Sequence, residues 1–408
     1  MLFLISFFFF VFGNWLLSLT SLDEGRNAYA VFNMLNSGNI LVPYYNCDVR
    51  FEKPPMLYYA GLISAKLFGL NEFSLRLVSG LSAVGLGTFT YFIAKLYFGE
   101  ETAKKAFLIL ATLPHLWVES RAFVPEMLLN FFMAGALYFF LIDRKLLGWT
   151  FLSLAFLTKG PVGVFLPLSA YIILKKNLRF MDLKGVALFL ILGGSWYYLM
   201  LFKFGLEYFY KFFLYENLMR YTGHRLTHPY PFYYYLFVLL IAFFFYLPAI
   251  PRIAKNMNKQ TIPFLLWGAF VLLFFSLAKN KLHHYILFSY PAFAVFSAYH
   301  LSYKYIRNTL VIGGLFLTGL LFISHFYEKD RFQTKALQVL KSFRGPVYFY
   351  RGAEISPIPF YLQKCIPKID ELPAEEALVI SKEEIRSCQM LLAGRELDGN
   401  YRLYLCNP

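Results

Sequence analysis

Apolar runs approaching the thickness of a bilayer recur along the chain, separated by short polar breaks. The predicted spans are 1–20, 73–97, 103–116, 127–142, 148–158, 161–174, 185–203, 232–251, 261–278, 286–300 and 309–325. A helix needs about 20 apolar residues to cross the hydrocarbon core. The runs at 103–116, 148–158 and 161–174 fall short of that length. The pattern therefore predicts a polytopic α-helical membrane protein with about 11 transmembrane helices, 11–13 at the limits. The first run lacks a basic start and a small-residue cleavage site, so it reads as a retained helix rather than a signal peptide. Stretches 24–37 and 56–68 are amphipathic or polar-edged and read as interfacial helices within the long loop 21–72. After residue 326 the period changes. Short β-like runs, PVYFY (346–350), ALVIS (377–381) and YRLYL (401–405), alternate with charged segments. The expected organisation is a membrane domain over 1–325 and a small soluble α/β domain over 326–408.

Composition agrees: 58% of the 408 residues are hydrophobic and 15% are charged, with mean hydropathy +0.51. The net charge of +15 first suggests nucleic acid. Its distribution excludes that reading, because residues 326–408 hold 12 Lys and Arg against 11 Asp and Glu. The surplus lies in the membrane part. With the N-terminus inside, the loops near 98–105, 142–148, 175–184, 252–260 and 301–308 carry 13 basic residues in about 40, the bias expected of inner loops. This orientation puts the tail, the long loops and all four cysteines on the outer face. Disulfides and free thiols both remain open there, and spacing does not assign a pairing.

The predicted spans hold no Asp or Glu except at their ends, which counts against an ion-coupled carrier. Polar residues gather instead at the outer interface. They are Asp23-Glu24, Glu52-Lys53, Arg121, Glu126, Lys159 in LTKGP, Arg220, His224, Arg225 and His228, and the run Lys279-Asn280-Lys281…Tyr285. Each has an ordinary reading. Asp23 or Glu126 alone is a helix start, Lys159 or Arg220 an interfacial anchor, and His283-His284 plain loop. In FEKPPML the prolines and Glu52 suit a helix N-terminus, but Lys53 is a cation where the dipole disfavours one. Taken jointly, cations at a membrane surface can hold a lipid phosphate. A carboxylate beside them can position or deprotonate an acceptor.

Asp23-Glu24, Gly38, Pro43, EKPP at 52–55, LFGLNEFSLRL at 67–77, LTKGP, FFLYENLMRYTGHRLTHPYPFYYY at 212–235 and FFSLAKNKLHHYILFSYP at 274–291 follow one another in order. In this the chain resembles the aminoarabinose (lipid A) transferases and their dolichyl-phosphate-mannose-protein mannosyltransferase-like relatives, of the GT-C superfamily. The resemblance implies a glycosyltransferase with an outward-facing site. Its donor would be a polyprenyl-phosphate-linked sugar, its acceptor a lipid or protein among membrane lipids, and its outcome inversion. By position, Asp23 would be the catalytic aspartate and Glu126 a second acidic position where the family more often has Asp. Lys53, Lys159, Arg220 and Tyr285 would hold the donor phosphate and line the pocket. Glu24, Glu52, Arg121 and His228 are secondary candidates, and Glu52 with His228 is the pair to which the resemblance points for a divalent metal. The competing reading is a polyprenyl-sugar flippase, which would need the cations but no acceptor site.

Overall fold

The computed structural model describes residues 2–20, 22–224 and 227–407. They form two compact units: Met1–Phe12 with Phe51–Ala60 and Arg76–Leu317, and Gly13–Arg50 with Gly61–Leu75 and Thr318–Pro408.

The first unit is helical. Among the described residues, three helices are long and apolar enough to cross a membrane: Glu72–Ala111, Lys259–Leu277 and Tyr303–Asp330. Two bent pairs pass the same test together, Leu183–Gly193 with Ser195–Thr222 and Tyr234–Ala242 with Phe244–Lys255. The helix Glu72–Ala111 fuses two predicted spans. Its only break is Gly99, at φ 79°, a left-handed conformation that costs glycine little. The polar stretch 98–105, predicted as a loop, is helical because i,i+4 pairs support it: Lys104 with Glu100 and Lys105 with Glu101. Pro125–Leu141, Lys145–Lys159 and Val162–Lys175 have 17, 15 and 14 residues, short for a crossing, as the sequence predicts for the last two. Gly160, at φ 75°, reverses the chain between the last two. Lys159 is thereby fixed at a helix end, where a cation suits the dipole.

The second unit joins the first long loop to the tail. It holds the helix Asp23–Ser37 and a small hairpin of β1 (Tyr44–Tyr45) and β2 (Asp48–Val49). The tail forms a five-stranded mixed sheet of β3 (Val347–Tyr350), β4 (Lys368–Ile369), β5 (Ala377–Ser381), β6 (Gln389–Glu396) and β7 (Gly399–Cys406), in spatial order β4-β3-β5-β7-β6. β3 pairs in parallel with β4 and β5, and β7 runs antiparallel to β5 and β6. The helix Phe332–Ser342 sets Phe332, Ala336, Leu337 and Leu340, at helical spacing, onto Phe349, Leu378, Ile380, Tyr401 and Leu403.

The loop and tail are held by specific bonds. Asn46 and Ile366 exchange two hydrogen bonds at 2.7 Å each. The buried Glu354 accepts from Tyr45 Oη at 2.7 Å and pairs with Arg26 and Lys368. Arg331, 1% exposed, pairs with Glu396 and Glu328 and donates to the Ser18 carbonyl. Two disulfides resolve the cysteine question: Cys47–Cys365, 318 residues apart, and Cys388–Cys406, 18 apart. Closing the longer loop constrains the unfolded chain more. We expect Cys47→Ser with Cys365→Ser to cost about 2–4 kcal/mol, read as a lower apparent Tm, and the Cys388/Cys406 double variant to cost less.

Candidate active site

In the first unit the site is built on three chain reversals. The helix Pro125–Leu141 places Glu126 in its first turn, and Lys145–Lys159 ends in Lys159. The 3-10 turn His283–Ser289 carries His284 and Tyr285. The three meet. Lys159 Nζ donates to Glu126 Oε1 at 2.6 Å and lies 4.9 Å from the centre of the Tyr285 ring. His284 Nε2 stands 3.3 Å from the same Glu126 oxygen. Burial holds the His284 imidazole down at about 4 against the pull of Glu126, so it is neutral at neutral pH. The Glu126 side chain is 4% exposed, so its charge depends on these partners. Lys53 attracts Glu126 as Lys159 does, and Arg220 is near enough to repel the Lys159 ammonium. Five predicted residues (Lys53, Glu126, Lys159, Arg220 and Tyr285) therefore share one electrostatic neighbourhood.

Arg220 also pairs with Glu216 at 3.2 Å. Its loop is clasped by Asn280. The Asn280 amide donates to the Arg220 carbonyl at 2.6 Å, and its Oδ1 accepts from the backbone N–H groups of Thr227 and His228 at 2.6 and 3.0 Å. The Lys281 N–H closes onto the His228 carbonyl at 3.0 Å. His228 is thus placed through its backbone, while burial and Arg220 push its imidazole pKa down. Arg225 lies outside the described residues. The AKNK run carries a local signal for this clasp, an Asn between two basic residues, which reading for charge alone passes over.

The remaining candidates divide between structural roles and the second unit. Arg121 donates to the carbonyls of Phe9 and Phe12 at 2.7 Å each and stacks on Trp117, so it closes the C-terminal end of the helix Leu2–Phe10. Glu24 accepts from the Thr20 N–H at 2.7 Å and from its hydroxyl at 3.0 Å, fixing the chain just before the helix Asp23–Ser37. Asp23, 43% exposed, accepts from the buried Arg50 at 3.4 Å. No local pattern marked Arg50. Glu52 is exposed. Among the described residues, His115, Glu119 and His283 form a group of three His and Glu side chains within one ion's reach.

The family model for dolichyl-phosphate-mannose-protein mannosyltransferase matches residues 52–198. An uncharacterized protein of Aquifex aeolicus (strain VF5) is 47% identical over 97% of this chain and 96% of its own length. The undecaprenyl phosphate-alpha-4-amino-4-deoxy-L-arabinose arabinosyl transferase of Pectobacterium carotovorum is 31% identical over 69% of this chain and 54% of its own length. The chain thus spans about half the length of the arabinosyl transferases it matches. Among solved structures, ArnT from Cupriavidus metallidurans bound to undecaprenyl phosphate superposes with TM-score 0.81 at 18% identity, covering 100% of this chain and 98% of that one. At that identity the match establishes the fold.

Proposed function

Because the chain belongs to the aminoarabinose and dolichyl-phosphate-mannose-type transferase family, with the GT-C membrane fold, we propose that it is a polyprenyl-phosphate-dependent glycosyltransferase. The observation that carries this reading is the buried Lys159–Glu126 pair under Tyr285, with Lys53 and Arg220 adding positive charge. A departing polyprenyl phosphate needs cationic stabilisation as the bond from the sugar's anomeric carbon to the phosphate oxygen breaks. Lys53 and Arg220 are assigned to that phosphate, and Glu126 holds Lys159 in place beside Tyr285. The acceptor oxygen forms the new bond from the opposite face, so configuration inverts. Asp23 takes the acceptor's proton or orients an acceptor that is already anionic. The acceptor is an envelope lipid of the lipid A type or another envelope molecule. The reaction is assigned to the periplasmic face of the inner membrane. That a relative was crystallised with undecaprenyl phosphate supports the donor class.

The test uses full-length protein in detergent with labelled undecaprenyl phosphate. Lys53→Ala should weaken binding about tenfold or more, as loss of a charge-assisted contact does, while the apparent Tm stays near wild type. Wild-type affinity in Lys53→Ala would remove Lys53 from the phosphate site. Movement of intact labelled sugar lipid across vesicles without cleavage would favour the flippase.

A further inference from the structure

His115 and Glu119 stand i,i+4 on the short helix Pro114–Glu119, so both project from one face. His283 comes from the turn that also carries His284 and Tyr285. The three donor atoms form a near-equilateral triangle. His115 Nε2 is 2.9 Å from His283 Nδ1, His283 Nδ1 is 3.2 Å from Glu119 Oε1, and Glu119 Oε1 is 3.5 Å from His115 Nε2. A tetrahedral zinc ion with bonds of about 2.0–2.1 Å sets its ligand atoms about 3.3 Å apart. The triangle brackets that edge. Glu119 is 4% exposed, and among the described residues its ion-pair partners are imidazoles, with no Lys or Arg. One carboxylate oxygen and two imidazole nitrogens are a donor set that zinc takes. The outer contact is also in place. His115 turns its other nitrogen, Nδ1, to the Tyr290 hydroxyl at 2.5 Å, the kind of bond that orients metal-bound imidazoles.

We propose that His115, Glu119 and His283 bind a divalent transition ion of the zinc type, with a fourth position open. His283 is half exposed, which gives the ion a way in. The ion ties the helix Pro114–Glu119 to the turn beginning at His283. It acts as a clamp on the segment bearing His284 and Tyr285, next to Glu126. This site stands whether or not the transferase reading does.

Full-length protein in detergent, stripped with chelator, reloaded with zinc chloride and dialysed, should retain one equivalent by elemental analysis. Glu119→Gln and His283→Ala should each weaken zinc binding by more than about 100-fold, beyond the loss usual for an outer contact. His283→Cys should restore it, since thiolate is also a zinc ligand, and this rescue separates ligation from misfolding. Substituted cobalt should give a tetrahedral visible spectrum in wild type that His283→Ala lacks. Glu52→Gln and His228→Ala should bind zinc as wild type does. The proposal is overturned if wild type retains no ion, if Glu119→Gln and His283→Ala bind normally, or if Glu52→Gln or His228→Ala abolishes binding.

Discussion

Lys159→Ala should destabilise the protein by about 3–5 kcal/mol, the cost of breaking a buried ion pair from one side. Glu126 is 4% exposed and would lose its 2.6 Å partner. Burial opposes protonation of His284, 3.3 Å from the same oxygen, so it offsets the lost charge only in part. Glu126→Gln added to Lys159→Ala removes the stranded charge, so the double variant should regain most of that stability. It should remain inactive, since neither residue is there to shape the pocket under Tyr285. Thermal midpoints of the single and double variants, measured with transfer of labelled sugar, check both halves. Recovered stability together with recovered transfer would make the pair structural only.

Asp23→Asn should lower kcat by about 10²–10⁴ with a hydroxyl acceptor, the range for loss of a positioned base. Asn keeps the size of the side chain and a carbonyl that can accept from Arg50, 3.4 Å from the present carboxylate. Thermal stability should therefore change little. A phosphate acceptor needs no deprotonation, and the same variant would then lose far less. The ratio of variant to wild-type kcat thus reports the acceptor's chemistry as well as the role of Asp23. Unchanged kcat with both acceptor types would remove Asp23 from the reaction.

Much of the helical part was legible because apolar runs and turn residues announce themselves locally. The Lys159-Gly160-Pro161 turn and the helix starting at Pro125 fall where the sequence places them. Gly99 misled in an instructive way, since a charged stretch beside a glycine reads as a loop, yet i,i+4 pairs keep it helical on the far side. β6 escaped notice because it is largely exposed, so burial imposes no alternation on it. Among site residues, Lys53 stood out by contradicting helix-dipole logic. Arg121 has the charge of a ligand, but its position lets it close a helix end. His115, Glu119 and His283 meet across 168 residues of sequence, and no window of the chain shows them together.

The Cys47–Cys365 bond constrains more than the unit that contains it. Two bonded cysteines occupy one side of a membrane, so the chain between them crosses it an even number of times. The spans predicted from 73–97 through 309–325 number ten and obey this parity. The three long helices alone, or five with the bent pairs, are odd counts. Parity is met when one bent pair crosses and the other does not, or when a further segment crosses: a shorter apolar helix such as Pro125–Leu141 or Val162–Lys175, or Glu72–Ala111 counted as two passes about Gly99.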